Sequence, residues 1–146
     1  MFHGADFSIE KTLITTKLSK LREYQKFLKE LRAASLEDFT RDFKVRGALE
    51  RYLQVSIECI VDVGNEIISS LQLQRPERYR DIPFILAESK IIPKTFAETI
   101  APMIGFRNLL IHYASINVNL VYEFLQERLP DFESFIRYIA KWLEKK

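Results

Sequence analysis

Apolar residues recur along this chain at spacings of three and four, and that period predicts helices nearly throughout. Over residues 8–33, Ile14, Leu18, Leu21, Tyr24, Leu28 and Leu31 form one stripe with Lys and Glu between them. Ser35 follows as a candidate N-cap, with Glu37 and Asp38 where negative charge suits a helix start. A short turn of helix at 36–41 should lead into a long helix at 43–73. That helix carries two apolar stripes: Leu49, Leu53, Ile57, Ile60, Ile67 and Leu71, and beside them Val45, Ala48, Tyr52, Val55, Cys59 and Val63. So wide an arc predicts a central or doubly packed helix. It also offers more apolar surface than one small bundle needs, which predicts a second copy packed against it.

Prolines punctuate the rest. Residues 74–81 contain Pro76 and dense charge and read as a loop. A short helix near 83–90 can take Pro83 in its first turn. The next spans about 93–114, with a kink or break expected near 99–102 because Pro102 removes a backbone bond. Two amphipathic stretches, 118–128 and 131–144, are expected to be interrupted by Pro130. With no repeat and no linker, the expectation is one all-α, up-and-down helical bundle spanning 1–146 and dimerising.

Composition narrows the chemistry. Among 146 residues, 22 Lys and Arg against 20 Asp and Glu leave a formal charge of only +2, which excludes a polyanion-coating surface but not a small basic cleft. Four Gly and five Pro argue against a many-stranded β-fold. One cysteine, Cys59, allows no intrachain disulfide and no CxxC zinc site. His3 and His112 cannot build a His-rich metal site, and Gly4, Gly47, Gly64 and Gly105 lie too far apart for a phosphate-binding glycine loop. The expectation is therefore no metal and no cofactor. No apolar run approaches the roughly 20 residues of a membrane span, and Met1 to Asp6 lack a signal-peptide pattern, so a reduced cytoplasmic setting is expected.

Two features carry candidate chemistry. Gln54, Glu58, Asp62 and Asn65 step by four, four and three along the central helix. They form either a solvated face or the polar wall of a cleft. In the stretch Gly105 to Tyr113, Asn108 and His112 share a helix face, while Arg107 lies five before His112, about 140° round the axis. The helix should end soon after His112, since Ser115 and Asn117 suit a cap or loop. A lone histidine there is structural or catalytic on composition alone.

Arg107-x4-His112, with Phe106 before it and Asn108 inside it, resembles the R-x4-6-H signature of the HEPN superfamily of ribonucleases. The fuller pattern resembles the HepT-like toxins. Leu49 to Glu58 and Ile60 to Asn65 are similar to that family's central helix, and Phe84 to Leu86, Met103 to Asn108, Val121-Tyr122 and Asp131-Phe132 to its later landmarks. The resemblance implies a helical homodimer whose paired motifs form a metal-independent endoribonuclease site, with Arg107 and His112 catalytic and Asn108 supporting. It implies a toxin of a type VII-like toxin–antitoxin system, partnered by a minimal nucleotidyltransferase antitoxin that can transfer AMP to a tyrosine in an H-x-Y segment. Here Tyr113 directly follows His112 and Ala114 stands at the expected tyrosine position, so Tyr113 is the candidate modification residue by proximity alone. Glu58, Asp62 and Asn65 are candidates for the cleft lining. The alternative reading is a non-catalytic helical partner that binds a nucleotidyltransferase.

Overall fold

The computed structural model describes residues 2–112 and 117–146, with side chains from residue 11 onward. The described residues form α1 (Phe2–Leu31), α2 (Leu36–Arg41), α3 (Phe43–Ser70), a 3-10 turn (Tyr79–Asp81), α4 (Ile82–Glu88), α5 (Lys94–His112) and α6 (Val118–Glu144). The helices pack as the all-α, up-and-down bundle that the periodicity predicts. The α1 stripe points inward as expected: Ile14, Leu18, Leu21 and Leu28 are fully buried, with Tyr24 and Leu31 at the margin.

Local signals set the helix starts. Ser35 Oγ accepts from the Asp38 amide at 3.1 Å while the Ser35 amide donates to Asp38 Oδ2 at 3.0 Å, a reciprocal capping box. Asp42 Oδ1 accepts from the Lys44 amide at 2.9 Å and opens α3. Helix ends come earlier than the apolar pattern suggests. Gln72 and Lys90 take left-handed φ values of 54° and 60°. Leu73 N–H then bonds back to the Ile68 carbonyl, and Ile91 N–H to that of Leu86, closing α3 at Ser70 and α4 at Glu88.

The wide apolar arc of α3 is used within the chain. This helix contacts α1, α2, α4, α5 and α6, and Leu49, Leu53, Ile57, Ile60, Val63 and Ile67 are sealed between them. Most of the expected surplus is taken up within the chain, while Val45, Ala48, Tyr52 and Val55 of the second stripe stay half-buried. Large apolar side chains left exposed include Phe43 at the start of α3, and Tyr79, Phe84, Ile111 and Leu120.

Neither expected proline break occurs. Helix α6 runs unbroken through Pro130, and α5 through Pro102. Pro130 has no N–H for the Gln126 carbonyl one turn back. That carbonyl instead accepts from Arg32 Nη2 at 2.7 Å, just past the end of α1, while Gln126 Nε2 donates to the Arg32 carbonyl at 3.2 Å. Around Pro102, Arg128 Nη2 on α6 donates to the Thr99 carbonyl at 2.7 Å, next to the Glu98 carbonyl that Pro102 deprives of a donor. Guanidinium groups from other segments thus supply hydrogen bonds where the local ladder is short of them.

Candidate functional site

The second half of α5 is fixed in rotation by its apolar neighbours. Phe106 stacks on Phe124 of α6, with ring centroids 4.2 Å apart and planes at 11°. Ile104 and Leu110 are buried. One residue on from Phe106, about 100° round the axis, Arg107 turns toward α3 and the loop that follows it. There its Nε donates to Glu58 Oε2 at 3.1 Å, and the same oxygen accepts from Gln54 Nε2 at 3.1 Å. Its guanidinium carbon lies 5.9 Å from the centroid of the Tyr79 ring. A carboxylate and an aromatic face therefore hold the guanidinium, with 27% of the Arg107 side chain still exposed.

Arg107 forms part of the wall of an open cavity of about 980 Å3. Asn65 lines it from α3, Asn108 from α5, and Arg75, Arg78, Tyr79 and Arg80 from the α3–α4 connection. Four arginines face it against one glutamate, Glu77, so the concavity is basic although the whole chain is nearly neutral. A basic hollow with donors converging on one wall suits an anionic, phosphate-bearing ligand.

The structure separates the candidates that the sequence grouped. Glu58 and Asn65 of the α3 stripe face the Arg107 side, one through its ion pair and the other through the cavity wall. Asp62 does not join them: it pairs with Lys17 of α1 at 3.1 Å. The Asp62 carboxylate in turn raises the Lys17 ammonium above its usual value, through a hydrogen bond first and charge second. Arg107 and Asn108 share the cavity; His112 does not line it and sits exposed at the end of α5. Tyr113 and Ser115 lie outside the described residues, while Asn117 precedes α6 without a side-chain cap bond. Among the described residues no three His, Cys, Asp or Glu gather as metal ligands would, and no helix is long and apolar enough to cross a membrane.

The α3–α4 connection went unmarked in the sequence beyond its charge. Its signal was there as Arg75-Pro76-Glu77-Arg78-Tyr79-Arg80, an aromatic set among arginines. What gives the run meaning is its position across from Arg107, which no spacing rule supplies.

The family model for ribonuclease HepT-like proteins matches residues 14–139, a span that takes in α3, the cavity and the Arg107–His112 segment. The chain belongs to the HepT-like ribonuclease family. Ribonuclease activity is the family's character, and the relatives agree with it. The mRNA nuclease HepT of Shewanella oneidensis is 32% identical over 102 residues, covering 69% of this chain and 77% of its own. The tRNA nuclease HepT of Aphanizomenon flos-aquae is 28% identical over 137 residues, 93% of each chain. In solved form, the tri-AMPylated Shewanella oneidensis HEPN toxin in complex with MNT antitoxin superposes with a TM-score of 0.78 at 28% identity, covering 88% of this HepT-like chain and 96% of that one.

Proposed function

We propose that this chain is the RNA-cutting toxin of a toxin–antitoxin pair, acting as a homodimer of one HepT-like domain per copy and held in check by a nucleotidyltransferase antitoxin. The observation that carries the reading is the Arg107 guanidinium, braced by Glu58 at the wall of a basic cavity, in a HepT-like chain.

The chemistry follows from the groups. RNA brings its own nucleophile, the 2′-OH. His112 takes the proton from that hydroxyl as its oxygen bonds to the adjacent phosphorus. Arg107 grips the non-bridging oxygens through parallel donors and steadies the growing charge. The bond to the 5′-oxygen then breaks, and that oxygen leaves with a proton from a second acid, leaving a 2′,3′-cyclic phosphate and a 5′-hydroxyl. Each chain has one histidine in the motif, and a symmetric dimer supplies His112 twice. Asn108, one turn before His112, supports its orientation or the phosphate. No step calls for a metal-bound water.

His112→Ala and Arg107→Ala should each lower RNA cleavage by about a hundred-fold or more while melting at the parent temperature. EDTA should leave cleavage intact, and a 2′-deoxy substitution at the cut site should stop it. The separation of His112 from the Arg107 cavity within one chain favours one other reading, a non-catalytic partner that docks a nucleotidyltransferase. Cleavage at the parent rate by either alanine variant, or its loss in EDTA, would overturn the site assignment, and a parent that cuts no RNA would put the partner reading ahead.

A further inference from the structure

We infer that the α3–α4 connection is a strand-holding rim. In this reading, Arg75, Arg78 and Arg80 contact the phosphates of a single-stranded RNA beyond the cut site, and Tyr79 stacks on one of its bases. The inference takes its ligand from the RNA-cutting reading above, and adds residues outside the Arg107–His112 motif on the same cavity as Arg107.

The rim is built, not merely charged. The Arg78 amide donates to Asp81 Oδ2 at 2.9 Å, so the segment enters its 3-10 turn in a fixed conformation. Asp81 is occupied with that backbone bond, and its other oxygen stands 3.9 Å from the Arg78 guanidinium, too far to neutralise it firmly. Arg75 and Arg80 make no ion pair among the described residues. All three arginines are exposed on the cavity rim, so their charge is available to a polyanion. Successive residues of a 3-10 turn point about 120° apart, which splays Tyr79 from Arg80 rather than stacking them.

Tyr79 is the odd residue in such a place. It is 53% exposed on the cavity wall, with the Arg107 guanidinium 5.9 Å from its ring centroid. An aromatic ring flanked by arginines on a concave wall is the arrangement that holds unpaired bases, since every base offers a π-face and the phosphates lie alongside. A flat acidic protein face would satisfy the arginines but would leave the hollow and the ring unfilled. Together, Arg107 at the wall and the three arginines at the rim give a strand a run of phosphate contacts leading to the reacting bond.

The test measures anisotropy of a labelled single-stranded RNA on the His112→Ala protein, so that binding is read without cutting. The triple variant Arg75→Gln, Arg78→Gln, Arg80→Gln should weaken binding about ten-fold or more and flatten the logarithmic salt slope by about two. A charge-matched control, Lys94→Gln, Lys141→Gln, Lys145→Gln, removes as many charges from a separate hollow whose Lys94 sits about 20 Å along α5 from Arg107, and should keep the slope. Tyr79→Ala should cost about ten-fold, and Tyr79→Phe, which keeps the ring, should rescue it. The inference is overturned if the rim triple binds as the parent does, if the control loses as much, or if Tyr79→Phe falls with Tyr79→Ala. Unchanged RNA affinity with loss of the nucleotidyltransferase complex would also overturn it, and would assign the rim to a protein face. Cleavage by the parent is scored separately: RNA cutting with unchanged KM in the rim triple sinks the rim alone. A parent that cuts nothing, with rim variants still losing RNA, sinks the cleavage mechanism and leaves the rim standing.

Discussion

Gly64 shows how closely a single residue can set an element's position. A Cβ there would overlap the Ile82 Cγ2 methyl, which is fully buried at the start of α4, so α4 can approach α3 only over hydrogen. Gly64→Ala should destabilise by about 1–3 kcal/mol in chemical denaturation. Paired with Ile82→Ala, which removes the obstructing methyl, the two losses should sum to less than their separate values. Cys59 makes a second case. Burial pushes its thiol from the ordinary 9.0 up to about 11, with Lys17 pulling the other way and Asp62 and Glu58 adding to the rise. Because the folded value is the higher one, this group's stabilising contribution is complete below about 9 and lost as pH rises toward 11. Iodoacetamide at pH 8 should therefore label native protein far more slowly than unfolded protein, and labelling as fast as a free thiol would show that the helix packing around Cys59 is wrong.

Among the elements, whatever depends on period was legible in the sequence. The apolar stripes of α1 and α3 gave their buried faces, and Ser35 its cap, because those signals act within a turn or two. The helices run on through Pro102 and Pro130 where breaks are expected, because the rule for prolines is local while their remedy is not. Arg32 lies 94 residues from the Gln126 carbonyl it serves. Arg32→Ala should cost about 0.5–1.5 kcal/mol by removing that exposed hydrogen bond. In a Pro130→Ala background, where the backbone supplies the donor, the cost should shrink to a few tenths. Equal losses in both backgrounds, measured by urea melts, would show that the guanidinium does not answer the proline. For the candidate site the same division holds. Arg107, Asn108 and His112 could be read from one helix, whereas the pairing of Glu58 with Arg107, the diversion of Asp62 to Lys17 and the arginine rim arise only when α3, α5 and the connection meet.

Over the whole molecule, the charge is nearly balanced yet unevenly spread, and the arginines around the cavity stand out against a formal +2. For the dimer proposed above, apolar surface remains at half-buried Val45, Ala48, Tyr52 and Val55 of α3 and at exposed Ile111 and Leu120 near His112. Light scattering at micromolar concentration should give twice the 17.2 kDa chain mass. A mass of one chain would remove the second His112 from the mechanism.

The bond from Arg32 to Gln126 also bears on the order in which the chain takes shape. During synthesis α1 is finished long before α6 exists, so the guanidinium is waiting when Pro130 arrives. Pro130 weakens the helix at its own position, so docking against α1 is the step expected to join the two halves of α6. A contact across such a sequence distance closes late in folding. Arg32→Ala should then leave the refolding rate nearly unchanged and quicken unfolding, so that α1 acts as the clasp that keeps α6 whole.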